Sequence, residues 1–92
     1  MKYTFSKPFE FEGEKIEELE FDLETLTGED LSKAKRNFLA DGRVFSYIIT
    51  ADQDYAAYVL AIAAKKPIEF FKQMPARDYA RLTMLVTAFL TN

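Results

Sequence analysis

The first 24 residues constrain the fold more than any other stretch. Tyr3, Phe5, Phe9 and Phe11 occupy alternate positions, and Leu19, Phe21 and Leu23 do so again. A period of two is the side-chain period of a strand, so each run describes a strand with one apolar face. Between the runs lies Glu12-Gly13-Glu14-Lys15, a polar stretch with the one residue type that accepts positive φ without steric penalty. The two runs therefore return on each other as an antiparallel hairpin. Its outward positions include Glu10, Glu18, Glu20, Asp22 and Glu24, which make the solvent face acidic. A two-stranded hairpin is marginal alone, so its aromatic face predicts helices packed against it.

Beyond residue 24 the apolar period lengthens to between three and four. Thr27-Gly28-Glu29-Asp30 reads as a capping box with Asp in place of the usual Glu or Gln. A first helix follows near 28–41, with Leu31, Ala34, Phe38 and Leu39 toward one face and Asp41-Gly42 as its stop. Val44 to Ile49 is short and apolar and stands before Thr50-Ala51-Asp52-Gln53, a second capping pattern; strand, turn and early helix all fit it, and it is read as a connector. A second helix spans about 52–65, where Tyr55, Tyr58, Val59 and Ile62 line a stripe and five alanines permit close packing. Pro67 suits the start of a short third helix through Met74, and Pro75 the start of a fourth carrying Tyr79, Leu82, Leu85, Val86 and Phe89. The expectation is a single α+β domain over residues 1–92, with a hairpin (1–24) packed on three to four helices (27–92).

The side-chain inventory limits the chemistry. With no His and no Cys, and with serine only at Ser6, Ser32 and Ser46, hydrolytic triads, thiolate nucleophiles and the common zinc ligands are absent from this sequence. The glycines, at 13, 28 and 42, fall in separate turns and form no phosphate-cradling loop. Asp52 with Asp54, or Glu29 with Asp30, would suit a hard cation or an acid/base pair, but all lie where helix starts favour acids. No enzyme activity, cofactor, metal or small-molecule substrate is expected. No window holds the roughly 20 apolar residues that cross a bilayer, and the N-terminus lacks a signal-peptide pattern, so a cytoplasmic protein is expected.

Charge divides the chain unevenly. Residues 1–30 hold ten acids against Lys2, Lys7 and Lys15, a net of -7, whereas residues 31–92 hold nine bases against five acids, a net of +4. Solvated helix faces explain such a pattern, and so does head-to-tail association of copies of the chain. Nucleic acid is disfavoured, because the pI is 4.9 and the acidic hairpin would repel phosphates.

The order of segments resembles a known family. A strand ending in Lys7-Pro8 leads into Phe9-Glu10-Phe11-Glu12-Gly13-Glu14-Lys15, then Ile16-Glu17-Glu18-Leu19-Glu20-Phe21, then Leu26-Thr27-Gly28-Glu29-Asp30-Leu31. Downstream come a middle helix, a proline-led turn, Asp78 and Leu85-Val86-Thr87-Ala88-Phe89-Leu90. Over essentially the whole chain this is similar to the tail assembly chaperones of long-tailed bacteriophages, of contractile-tail type. The resemblance implies a non-enzymatic protein of a phage or prophage that binds the tape measure protein in the host cytoplasm. It would keep that client soluble until tail tube subunits polymerise around it, and would be missing from the mature virion. It also implies a homo-oligomer and, in many relatives, a longer frameshifted product. A different small adaptor, or a tail subunit retained in the particle, is the alternative. The family supplies no invariant binding motif, so partner-binding candidates come from the large aromatics of the helical part: Tyr55, Tyr58, Phe70 and Phe71. Each would equally fill the core.

Overall fold

A computed structural model describes residues 1–43 and 52–91. Strands β1 (Lys2–Phe11) and β2 (Glu14–Glu20) form an antiparallel hairpin, followed by helices α1 (Gly28–Ala40), α2 (Gln53–Ala64), α3 (Ile68–Gln73) and α4 (Ala76–Thr91). This is the expected α+β arrangement. The Val44 to Ile49 connector lies outside the described residues.

The hairpin turns over Glu12 and Gly13, both at positive φ (51° and 81°), as a two-residue type I′ turn requires. Gly13 adopts this freely, whereas Glu12 does so at a steric penalty. Phe9 stands opposite Ile16 and Phe11 opposite Glu14, but Thr4 stands opposite Glu18. Residues 5–8 of β1 therefore face Glu17 alone, which makes an irregular bulge of four residues against one. Pro8, which has no N–H to give to a ladder, sits inside it. Beyond β2, the Phe21 and Met1 backbones exchange hydrogen bonds, Met1 N donating to the Phe21 carbonyl at 2.7 Å and Phe21 N to the Met1 carbonyl at 2.9 Å.

The helices begin and end as their termini direct. Thr27 Oγ1 accepts from Asp30 N at 3.3 Å while Thr27 N donates to Asp30 Oδ2 at 2.9 Å, so the Asp variant of the capping box is complete. At the far end Gly42 (φ +80°) reverses the chain, and Arg43 N donates to the Phe38 carbonyl. α2 starts on Asp52, whose carboxylate accepts from Tyr55 N, and ends on Lys65 in the left-handed region at φ 57°. There Lys66 N reaches the Ala61 carbonyl, the same reversal made with a lysine where glycine is usual.

α2 is the central element. Tyr55 through Leu60 are buried without interruption, because α1 covers one side and α4 the other. α1 contributes Ala34 and Phe38, with Leu31 half-buried; Leu39, expected on the same face, is exposed. α4 contributes Leu82, Thr83 and Val86. The hairpin's aromatics run edge to face into α3: Tyr3 to Phe5 at 5.4 Å between centroids, Phe5 to Phe9 at 5.1 Å, then Phe9 and Phe11 onto Phe70 at 5.4 and 5.2 Å. Phe70 is thus the point at which strands meet helices.

Candidate functional site

A buried carboxylate locks hairpin to helix and fixes the surface that remains. Asp78, in the first turn of α4, is fully buried and accepts hydrogen bonds from Tyr3 Oη (2.6 Å), Ser6 N (3.0 Å) and Ser6 Oγ (2.9 Å). The bulge explains this geometry, because it frees the Ser6 N–H from the ladder and turns it to Asp78. Burial alone would raise the Asp78 carboxyl's pKa. The hydrogen bonds from Tyr3 and Ser6, helped by nearby Arg81, outweigh it and hold the pKa below the ordinary carboxylate value.

A second polar cluster joins the remaining helices. Asp54 accepts from Tyr79 Oη at 2.8 Å and from Arg43 Nη1 at 3.0 Å, tying α2 to α4 and to the end of α1. Tyr55 Oη donates to the Leu31 carbonyl at 3.3 Å, and Tyr58 Oη donates to Asp41 Oδ2 at 2.5 Å. Burial, reinforced by the Asp41 carboxylate, pushes the Tyr58 hydroxyl up to about 12, and burial with Asp54 raises Tyr79 as well. The acids considered for catalysis or metal binding are engaged structurally: Asp52 and Asp30 cap helices, Asp54 holds Tyr79 and Arg43, and Glu29 pairs with Arg36 at 3.2 Å. Among the described residues no group of three or more acidic side chains is placed to hold a metal ion. Nor is any helix among them long and apolar enough to cross a membrane.

The four aromatics put forward as partner-binding residues are all in the core, with exposures of 5% for Tyr55, 3% for Tyr58, 0% for Phe70 and 1% for Phe71. Tyr55 and Tyr58 pack on Phe38, at 6.0 and 5.6 Å between centroids. Phe70 is roofed by the hairpin, and Phe71 lies against Phe70 at 5.2 Å. Tyr58 and Phe71 border surface grooves. They shape the surface from beneath and do not present it.

Among the described residues, three of the five exposed large apolar side chains lie on α4, the others being Met1 and Leu39. From Leu82 to Thr91 this helix carries no charge, and its apolar residues are more numerous than one buried face can take. Leu82 and Val86 are buried, while Met84 (70% exposed), Leu85 (39%) and Phe89 (37%) remain at the surface. Met84, with Gln53, Ala80, Thr83 and Thr87, lines a shallow, mostly apolar groove of about 260 Å³ between α2 and α4; Leu85 and Phe89 are not part of its lining. The sequence held the signal, a ten-residue uncharged helical run. Periodicity assigned Leu85 and Phe89 to the buried stripe because it cannot tell that among the described residues they remain partly exposed.

Residues 2–91 match the family described as "Phage tail assembly chaperone proteins, E, or 41 or 14". No curated protein and no solved structure matches the chain. The match extends from the start of the hairpin to the end of the uncharged helix, and this chain belongs to that family of phage tail assembly chaperones.

Proposed function

We propose that this protein is a tape measure chaperone of a contractile-tailed phage. It binds amphipathic helical segments of the tape measure protein on the exposed α4 surface and keeps that client soluble until the tail tube forms. The observation that carries this reading is the uncharged half of α4, with Met84, Leu85 and Phe89 exposed in a chain that belongs to a chaperone family. A long client built of amphipathic helices offers apolar stripes that aggregate unless covered. The exposed Leu85 and Phe89 on one side of α4 and the groove lined by Met84 on the other suit such stripes, and the pliable Met84 adapts to varied sequence. The role requires no bond-breaking chemistry and is carried out in the host cytoplasm, and the protein leaves before the virion is complete.

The test is co-expression with the tape measure protein of the same genome. Increased soluble recovery of the client, with both proteins captured together, is expected. A folded chaperone that neither captures nor solubilises the client would refute the proposal, and its detection in purified virions by mass spectrometry would indicate a tail subunit.

A further inference from the structure

A groove of about 540 Å³ opens between the ends of α1 and α2 and the start of α3. Lys33, Lys65 and Lys66 line it against one acid, Asp41, a net of +2 in a protein whose net charge is -3. Ile62, Pro67 and Ile68 supply an apolar wall. None of these residues lines the groove beside α4.

The lysines are not spent inside the molecule. The ion pairs among the described residues join Glu20 to the N-terminus, Glu18 to Lys2, Glu29 to Arg36 and Asp54 to Arg43. Residues 44–51 and Asn92 contain no acidic side chain that could serve the lysines instead. Asp41 is itself engaged, accepting the Tyr58 hydroxyl. Helix dipoles account for lysines just past the end of α2, but not for Lys33, which sits in the middle of α1. Nor does the fold require Lys65, whose left-handed backbone (φ 57°) is one that glycine adopts without steric penalty. The rim is also held in place: Lys66 Nζ stands 5.4 Å from the Phe70 ring centroid, and Pro67 restricts the backbone next to it.

Cations beside an apolar wall suit a ligand that carries carboxylates and apolar side chains together. A groove of this volume falls within the range of about 300 to 1,000 Å³ that holds small ligands, so it takes a few side chains and not the full length of a helix. A nucleic acid would bring its charge on a hydrophilic backbone, leaving Ile62 and Ile68 uncovered, and the acidic hairpin would repel it. We infer that this groove binds a short acidic segment of a partner protein, its carboxylates on the lysines and a Leu- or Ile-sized side chain against Ile62 and Ile68. The inference needs neither the α4 surface nor the identity of the client.

Fluorescence anisotropy tests this with the full chain and a short fluorescein-labelled peptide of repeated Glu-Glu-Leu. Saturable binding is expected, with Kd weakened at least about tenfold between about 0.05 M and about 0.5 M salt, where the screening length falls from roughly 14 to roughly 4 Å. Polyglutamate of the same length should bind at least about fivefold less tightly, because it leaves the apolar wall uncovered. Lys33→Glu/Lys66→Glu should weaken the Glu-Glu-Leu peptide at least about tenfold, with circular dichroism showing the variant folded. Lys33→Gln/Lys65→Gly should weaken it at least about threefold, and its glycine suits the left-handed cap, so the test survives if the first variant unfolds. Met84→Glu/Phe89→Glu should leave peptide binding unchanged. Absence of saturable binding at low salt would overturn the inference, as would a Kd indifferent to both lysine variants. Loss of binding in Met84→Glu/Phe89→Glu would overturn it by placing the peptide on α4. Tighter binding of single-stranded DNA than of the peptide would assign the groove to nucleic acid. A doubling of mass by light scattering that Lys33→Glu/Lys66→Glu abolishes, without peptide uptake, would assign it to a second copy.

Discussion

Asp78→Ala removes the single acceptor that serves Tyr3 Oη, Ser6 N and Ser6 Oγ. Hydrogen bonds to a charged group contribute about 1.5 to 3 kcal/mol each when fully shielded, but Ser6 is exposed and Tyr3 half-buried, so about 1 kcal/mol each is the better figure here. Loss of an acid from the first turn of α4 adds about 0.5 kcal/mol. Relief from holding a charge out of water returns a similar amount, leaving a destabilisation of about 3 kcal/mol. A 92-residue domain has roughly 5 to 14 kcal/mol in total. Since 1 kcal/mol moves Tm by about 4 to 8 °C at this size, the variant should melt roughly 12 to 24 °C lower. Urea unfolding followed by circular dichroism measures the difference directly. Tyr3→Phe should cost about 1 kcal/mol in the native protein and close to nothing in the Asp78→Ala background, because its partner is already gone. An Asp78→Ala variant within about 0.5 kcal/mol of the parent would refute the idea that this carboxylate holds the hairpin on α4.

Asp78 also sets a pH dependence. Its folded pKa lies below the ordinary 3.8, so its contribution is complete above that pH and is lost as pH falls through the lower folded value; urea midpoints should drop more steeply below pH 4 in the parent than in Asp78→Asn. At the alkaline end the sign reverses. Tyr58 is raised from 10.0 to about 12, so stability tied to its neutral hydroxyl is complete below pH 10 and is lost as pH rises through 12; tyrosinate absorbance should appear together with unfolding, and early ionisation of all five tyrosines in the folded protein would contradict this. Phe70→Ala should destabilise by about 3 to 5 kcal/mol, since it removes the ring on which the hairpin rests, and calorimetry would show it. Lys65→Gly should raise stability by about 0.5 to 1 kcal/mol by relieving the left-handed cap; a loss of stability in urea unfolding would contradict this.

Much of the fold was legible because local rules agree with one another in this sequence. Alternating aromatics, Gly13, the Thr27–Asp30 box and Gly42 each announce a period or a terminus, and the structure places elements within a residue or two of those signs. The bulge was harder to see. Tyr3, Phe5, Phe9 and Phe11 keep their odd spacing through a break in the ladder, and only Pro8 hinted that pairing fails there. Lys65 was illegible as a left-handed residue, because lysine gives no sign of that conformation. Tyr55, Tyr58, Phe70 and Phe71 show where sequence reasoning about a surface stops. Periodicity identifies a helix's apolar face but not the element that covers it, and Phe70 is covered by a hairpin distant in sequence. The same gap concealed the α4 surface, where Leu85 and Phe89 have the right period for a core but stay partly exposed among the described residues.

The most direct test of client binding on α4 is hydrogen exchange by mass spectrometry on the co-expressed complex with the tape measure protein, compared with the chaperone alone. Slowed exchange over residues 80–91, abolished together with client capture by Met84→Glu/Phe89→Glu, is the predicted result. A bound client that protects other segments and leaves exchange along α4 unchanged would contradict it.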